Sequence, residues 1–313
     1  MDKDPCCFTL FIGGERLTVA TDGIAFPDPL YPNPAYSFFT SLLPGTDFCK
    51  TDVLVTASPP PNLSVVQWLF NNCASVDDSG GASWSAGIHD GLVYIKFAGL
   101  SSCPLWVARF LPDASRVTVF CGKEIIDANK KKLLLNPVTY PLDQILLMYG
   151  LAGRGAVCHG AGWLANNSGL VFAGVSGAGK TTIANLLAQN KSGRLLSDDR
   201  VIICEEAGKF YVYGTPWPGE GGYAKNERST MNALFFLARG DENRIEPVSP
   251  AIAASLILPV LSIPWYDADI TTSMLDFCDR LVSRVPAYRM AFTPDDSVAD
   301  EVLRFVKQTG GFF

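Results

Sequence analysis

The most constraining feature of the sequence is the glycine-rich segment Gly174-Val-Ser-Gly-Ala-Gly-Lys-Thr181, which matches the Walker A pattern of phosphate-binding loops. A short apolar run, residues 170–173, precedes it, and a helical pattern with Ile183, Leu186 and Leu187 on one face follows it. Glycines allow successive backbone N–H groups to point at an anion, and the helix N-terminus adds the positive end of its dipole. We therefore predict a loop that binds the phosphates of a nucleoside triphosphate.

Two side chains of this segment are expected to act together with the backbone. Lys180 can reach the β- and γ-phosphates, and the Thr181 hydroxyl can ligate Mg²⁺. The predicted cofactors are therefore ATP and Mg²⁺. The predicted nucleotide-binding residues of the loop and the first helical turn are Gly174, Ser176, Gly177, Ala178, Gly179, Lys180, Thr181 and Thr182.

The next candidate is the pair Asp198-Asp199, which follows a predicted short strand, residues 194–197. Ligands of open α/β sheets bind at the carboxyl ends of strands, where this pair is expected to lie. One carboxylate is expected to associate with the metal and the other to accept a proton from an attacking hydroxyl. We favour Asp198 as the base and Asp199 as the metal-associated residue, although the spacing also fits the reverse. A solvated turn with Asp198 as a cap residue is the structural alternative.

A glycine-rich segment with charged residues, Trp217–Arg228, provides further candidates. Glu220 is expected near the metal, and Lys225 and Arg228 are expected to neutralise the γ-phosphate. A surface loop with solvated charges has the same composition.

The chain has two histidines, His89 and His159. His159 comes just before the predicted phosphate-binding hairpin and is a candidate for a contact to phosphate or to an acceptor hydroxyl. A purely structural role fits it equally well, and His89, in a Gly/Ser-rich turn, is expected at the surface.

Composition narrows the class of protein. With 48% hydrophobic and 18% charged residues, the 313-residue chain is typical of a folded globular protein. A net charge of −6 argues against nucleic acid as a partner. Nine dispersed cysteines and only two histidines are typical of reduced core thiols in a cytoplasmic protein and argue against a zinc site. The acidic N-terminus is unlike a secretory signal, and proline and glycine interrupt the uncharged stretches, so no membrane segment is expected.

The chain is predicted to have a β-rich N-terminal region, residues 1–130, and a nucleotide-binding catalytic domain, residues 131–313. The N-terminal region opens with a hairpin signal across Gly13-Gly14, followed by a long loop or irregular strand over 27–62. A helix is expected to begin at Pro141. Further strands are predicted over 92–97, 105–110, 116–121, 156–160, 170–174, 194–197, 201–204, 209–213, 232–238 and 287–292, and further helices over 250–258, 271–283 and 296–307.

The combination of His159-Gly160, the phosphate-binding loop and Leu196-Ser-Asp-Asp199 resembles the catalytic domain of HPr kinase/phosphorylase, a relative of phosphoenolpyruvate carboxykinase. Glu220-Gly-Gly-Tyr-Ala-Lys225 is similar to a carboxykinase segment that helps to hold metal and ATP phosphates. The wider pattern, over residues 85–308, resembles bacterial HPr-kinase-related proteins, some of which phosphorylate a peptide serine. It lies in Tyr213–Trp217, Ala233–Leu237, Pro264–Asp267 and Val285–Asp295.

The resemblance implies an α/β fold, a phosphoenolpyruvate-carboxykinase-like P-loop domain with a mixed sheet, preceded by the β-rich region. It also implies catalytic roles for His159, Lys180, Asp198 and Asp199, and metal contacts from Thr181, Asp199 and Glu220. The Glu-x-Arg-Gly-x-Gly segment of true HPr kinases is missing after the aspartate pair. Recognition of HPr and the reverse phosphorylase reaction are therefore not expected.

The leading hypothesis is an ATP- and Mg²⁺-dependent kinase that phosphorylates a hydroxyl, in the first place serine, of a peptide or small protein. A kinase for an amino acid or sugar-like acceptor is the enzymatic alternative. A nucleotide-binding accessory protein without turnover is the alternative from another class. The oligomeric state stays open, with a homo-oligomer as one option.

Overall fold

The computed structural model describes residues 8–24, 33–43, 49–72, 83–98, 103–130, 136–165, 168–175, 177–189 and 193–308. The chain is mixed α/β and divides into two compact units. Within the described ranges, every helix is too short or too polar to cross a lipid bilayer. The first unit comprises the described residues within Met1–Phe11, Glu15–Thr40 and Thr46–Gly150, and the second those within Ile12–Gly14, Ser41–Gly45 and Leu151–Phe313.

The first unit is built on a sheet with the strand order β1-β2-β3-β8-β7-β6-β5-β4. Strand β3 pairs in parallel with β2 and β8, and β4 to β8 pair successively in antiparallel fashion. The strands are β1 (Phe8–Ile12), β2 (Glu15–Asp22), β3 (Cys49–Thr56), β4 (Gln67–Asn72), β5 (Trp84–His89), β6 (Leu92–Ala98), β7 (Pro104–Phe110) and β8 (Arg116–Cys121). The helices are α1 (Lys123–Lys130) and α2 (Leu142–Gly150), with 3₁₀ helices at Pro34–Thr40 and Leu63–Val65.

The hairpin predicted at the start of the chain is confirmed. Gly13 and Gly14 form its turn with φ angles of +58° and +82°, a left-handed conformation that costs glycine little. The prediction of a loop or irregular strand over 27–62 is wrong for β3, which lies inside its sheet. Val53 and Val55 are buried and alternate with exposed neighbours, so a period of two was present within the Pro-rich stretch.

Helix α2 is confirmed close to its predicted limits, and its apolar stripe, including Leu142, Ile145 and Leu146, is buried. The structure groups α2 with the first unit, so the compact units separate after Gly150. The division into functional regions at residue 130 stays a prediction.

The second unit contains a sheet with strands in the order β10-β9-β12-β13-β14-β16-β15, with β11 paired to β9. Strand β10 also pairs with β14, so β10, β9, β12, β13 and β14 form a closed circuit. The strands are β9 (Gly155–Ala165), β10 (Ser168–Ala173), β11 (Arg194–Ser197), β12 (Arg200–Glu206), β13 (Lys209–Tyr213), β14 (Arg228–Arg239), β15 (Arg244–Pro247) and β16 (Ala287–Phe292). The helices are α3 (Lys180–Gln189), α4 (Pro250–Ile257), α5 (Ala268–Arg284) and α6 (Ser297–Gln308), with a 3₁₀ helix at Leu258–Val260.

Strands β10, β14 and β16 run parallel to one another, so their carboxyl ends meet at one edge. Every residue of β10 is buried, as expected for a central strand covered on both faces. Helices α3 and α6 supply Ile183, Leu187, Val298 and Val302 to the apolar core against these strands. The apolar faces of these helices therefore fix the start of α3 against the strands.

The predicted strands and helices of this unit are present, but β9 extends to Ala165 beyond the predicted residue 160, and β14 begins at Arg228 before the predicted residue 232. Strand β15 was not predicted, because its sequence Arg-Ile-Glu-Pro contains only one strongly apolar residue. Helix α5 begins before the predicted residue 271, because the side chain of Asp267 caps it and accepts a hydrogen bond from the Ile270 N–H at 3.2 Å.

The aromatic core of the second unit yields a stability prediction. Phe235 is fully buried, and its ring stacks on Phe172 at 5.0 Å between centroids. We expect Phe235→Ala to lower the free energy of unfolding by about 3–5 kcal/mol, measured by chemical denaturation, because it leaves a cavity in a rigid core. Leu275→Ala, on the partly exposed face of α5, is the control and should change it by less than about 1 kcal/mol. Equal small losses would contradict the assignment of this core.

Candidate functional site

The glycines that precede α3 have backbone angles that suit a turn around an anion. Gly177 and Gly179 have φ angles of +78° and +98°, and Ala178 lies between them. A Cβ atom on Gly177 would meet no atom within 4 Å, whereas one on Gly179 would lie 2.7 Å from the ring of Phe292. Glycine at 179 is therefore required both by the backbone angle and by the approach of this ring. Ser176, a predicted binding residue, lies outside the described residues.

Lys180 begins α3, and its ammonium group is turned back onto the loop. The Nζ atom donates hydrogen bonds to the carbonyl oxygens of Gly174 at 3.0 Å and Val175 at 3.1 Å. Burial lowers the pKa of Lys180, and the charge of Asp199 works in the opposite direction. Because these partners are neutral carbonyls, an arriving phosphate can replace them with a charged acceptor.

A cavity of about 1050 Å³ opens at the carboxyl ends of β10, β14 and β16. Its lining includes most of the predicted loop residues together with charged groups from three other segments. The lining residues are His159, Gly177, Ala178, Gly179, Lys180, Thr181, Thr182, Asp199, Gly219, Glu220, Arg239, Gly240, Asp241, Phe292 and Pro294.

Strand pairing on both sides of β9 brings His159 and Asp199 to this cavity. On one side, β9 pairs with β12 so that His159 lies opposite Arg200, and the Gly160 N–H donates to the Asp199 carbonyl at 2.9 Å. On the other side, β9 pairs with β10 so that Ala173 lies opposite Gly160. The end of β10 and the start of β12 therefore lie on the two sides of the middle of β9.

Asp199 makes two charged contacts. His159 Nε2 lies 2.8 Å from Asp199 Oδ1, and an Arg200 guanidinium nitrogen lies 2.8 Å from Oδ2. Burial by itself would raise the pKa of Asp199, but the hydrogen bond from His159 and the charges of Arg200 and Lys180 together lower it. Asp199 is therefore an ionised carboxylate at neutral pH, and it stays ionised to a lower pH than an ordinary aspartate.

Asp198 is placed differently from its neighbour. Its side chain is 1% exposed and is absent from the described cavity lining. Its carboxylate accepts hydrogen bonds from the backbone N–H groups of Gly219, Gly221 and Tyr223. The structure therefore separates the two aspartates, one at the cavity and one inside the adjoining loop, and the role of Asp198 as the base stays a prediction.

Among the charged residues of the glycine-rich segment, Glu220 lies at the cavity and is exposed. Lys225 is exposed, and its backbone N–H donates to the Leu196 carbonyl at 2.9 Å, but its side chain does not line the cavity. Arg228 forms an ion pair with Glu206, and its guanidinium lies 4.7 Å from the centre of the Tyr211 ring. The structure thus brings Glu220 to the loop and leaves Lys225 and Arg228 outside the lining.

Sequence reasoning missed Arg239 and Asp241, which line the cavity at the end of β14. Arg239 is exposed, and one of its guanidinium nitrogens lies 3.4 Å from the Gly177 carbonyl oxygen. Charged residues directly after the buried run 232–238 were a usable signal. The parallel pairing of β14 with β10, which brings this end to the phosphate-binding loop, was not readable from spacing.

The cavity suits Mg²⁺ held jointly with phosphate. Within the described ranges, no three His, Cys, Asp or Glu side chains are grouped closely enough to hold a metal ion alone. Thr181, Asp199 and Glu220 offer oxygen atoms at the same cavity, and Mg²⁺ is usually bound by one or two carboxylates, substrate phosphates and water. The donor set therefore fits the predicted metal.

Comparison with known proteins adds a weak likeness. No protein-family model and no curated protein matches the chain. Among solved structures, the chain is similar to the HPr(Ser) kinase/phosphatase from Coxiella burnetii, with 12% sequence identity and a TM-score of 0.29, over 49% of this chain and 89% of that one. A likeness of this size supports no assignment by itself, so the interpretation rests on the residues of the cavity.

The two arginines at opposite ends of β14 form a matched pair for mutation. Arg239→Ala should weaken nucleotide binding, measured by titration calorimetry with MgATP, and should change stability by less than about 0.5 kcal/mol because Arg239 is exposed. Arg228→Ala should reduce stability by about 1–3 kcal/mol, because it leaves Glu206 half-buried without its ion pair, and should leave nucleotide affinity unchanged. Weaker nucleotide binding in Arg228→Ala, with unchanged binding in Arg239→Ala, would instead place Arg228 at the phosphate site.

Proposed function

We propose that the chain is an ATP- and Mg²⁺-dependent phosphotransferase that phosphorylates a hydroxyl group, in the first place a peptide or small-protein serine. One observation carries the proposal. The left-handed glycines, Lys180 and the hydrogen-bonded pair of His159 and Asp199 all open onto one cavity. A cavity of about 1050 Å³ is at the upper end of the usual range for ligand sites, which supports room for a nucleotide and an acceptor side chain.

The chain's own groups supply the binding and the charge. Backbone N–H groups of the turn and the N-terminus of α3 attract the phosphates. Lys180 exchanges its two carbonyl contacts for phosphate oxygens, and Arg239 adds a second cation from the end of β14. Both side chains stabilise charge on the transferring phosphoryl group, the largest source of catalysis in such reactions.

His159, oriented by Asp199, receives the proton of the acceptor hydroxyl. An ionised carboxylate can only accept hydrogen bonds, so Asp199 Oδ1 accepts the Nε2–H of His159. In a neutral imidazole the other ring nitrogen is then a proton acceptor. As the acceptor oxygen bonds to phosphorus and the bond from phosphorus to the ADP oxygen breaks, the hydroxyl proton passes to His159 Nδ1.

When bound, Mg²⁺ neutralises charge on the β- and γ-phosphates. Thr181, Asp199 and Glu220 are the residues that would hold it. Asp199 thus links the metal to the orientation of His159.

Binding is tested first. ATP with Mg²⁺ at a hundred times its dissociation constant should stabilise the protein by about 2.7 kcal/mol, since it binds the folded state only. Lys180→Ala should lose most of this gain in a thermal shift assay. Lys209→Ala, at an exposed end of β13, should keep it. An unchanged gain in Lys180→Ala would remove Lys180 from the phosphate site.

Transfer is tested with γ-³²P-labelled ATP and a library of serine-containing peptides. We expect His159→Ala to lower labelling about 100-fold or more while keeping stabilisation by MgATP, because it removes the proton acceptor and no phosphate contact. The control is His89→Ala, which replaces the exposed histidine at the end of β5 and should label like the wild type. Equal labelling by the two variants would exclude His159 as the base, and binding of MgATP without labelling of any peptide by the wild type would contradict a peptide-serine acceptor.

A further inference from the structure

The buried carboxylate of Asp198 has a complete set of partners in one short loop. Its Oδ1 atom accepts from the Gly219 N–H at 2.9 Å and the Tyr223 N–H at 3.3 Å, and its Oδ2 atom accepts from the Gly221 N–H at 2.7 Å. A buried carboxylate is strongly destabilising unless such donors compensate its lost hydration. The three amides and the carboxylate therefore depend on one another.

The glycines of this loop are explained by the same contact. A Cβ atom on Gly219 would lie 2.9 Å from Asp198 Oδ2, and one on Gly221 would lie 2.7 Å from it. Gly222 has a φ of +74°, and its N–H donates to the Gly219 carbonyl at 3.1 Å, which closes the turn. A side chain at 219 or 221 would push the loop away from the carboxylate.

The far end of the loop is held to the strand that precedes Asp198. The Lys225 N–H donates to the Leu196 carbonyl at 2.9 Å, and Ala224 forms a β-bridge with Ser197. Together with the three bonds to Asp198, these contacts fix the backbone on both sides of Glu220. Glu220 itself is exposed and lines the cavity with Lys180.

We propose that Asp198 is a positioning residue, which anchors residues 219–223 so that the Glu220 carboxylate is presented to a divalent cation at the phosphate site. The inference rests on the proposed function and assigns the two neighbouring aspartates different tasks. Asp199 serves the cavity directly, and Asp198 acts through the loop.

The test compares three variants, Asp198→Asn, Gly221→Ala and Glu220→Gln. The first two disturb the anchor, and Gly221→Ala does so while it retains the Asp198 carboxylate. Hydrogen–deuterium exchange of residues 219–223 is measured without ligand. The Mg²⁺ concentration that half-saturates thermal stabilisation by ATP is measured in parallel.

We expect faster exchange in Asp198→Asn and Gly221→Ala and wild-type exchange in Glu220→Gln. All three should need about ten-fold more Mg²⁺, because groups that orient a metal ligand typically contribute that much to affinity. If Asp198→Asn does not fold, the exchange and the Mg²⁺ dependence of Gly221→Ala test the proposal. Wild-type exchange or wild-type Mg²⁺ dependence in Gly221→Ala would overturn the proposal. A wild-type protein that ATP does not stabilise would refute the proposed function, and the exchange rates alone would then decide the anchoring.

Discussion

The arrangement of the site depends on the position of β9, which pairs with β10 on one side and with β11 and β12 on the other. Strand β10 leads into the predicted phosphate-binding loop, and β12 follows Asp199. The register of β9 against these two strands therefore determines the distance between the loop and Asp199. Gly160 is one of the buried glycines at which β9 packs closely against its neighbours. A Cβ atom there would lie 3.0 Å from the Phe172 carbonyl oxygen, so the strands could not keep this spacing with a larger residue. One small residue in a buried strand therefore supports the placement of His159 beside Asp199.

Charged groups that are close in sequence have different electrostatic surroundings. Asp199 is ionised between an imidazole and a guanidinium, and Asp198 is surrounded by amide groups. Lys180 is buried enough for its pKa to fall, yet it lies within reach of the Asp199 charge. Charges held in fixed positions in this way would require little reorganisation in the proposed phosphoryl transfer, which is the condition for electrostatic catalysis.

Local sequence was sufficient to predict much of the second unit. The glycine pattern, the apolar run 170–173 and the helical stripe of α3 each predict their own structure, because the signal lies in adjacent residues. The sequence also indicated that His159, Lys180 and Asp199 belong to one site. Long-range pairing was not accessible, so Arg239, at the end of a strand parallel to β10, was missed. Spacing also could not distinguish Asp198 from Asp199, since only the approach of residues 219–223 makes their surroundings different.

We propose that the cavity at the carboxyl ends of β10, β14 and β16 holds the triphosphate with its γ-phosphate near Lys180. The most direct measurement uses an ATP analogue that carries a reactive acyl group on its γ-phosphate and acylates the nearest lysine, with the modified residue identified by mass spectrometry. The account predicts acylation of Lys180 that excess MgATP prevents. Acylation that falls on Lys209 or Lys307, or that excess MgATP leaves unchanged, would contradict it.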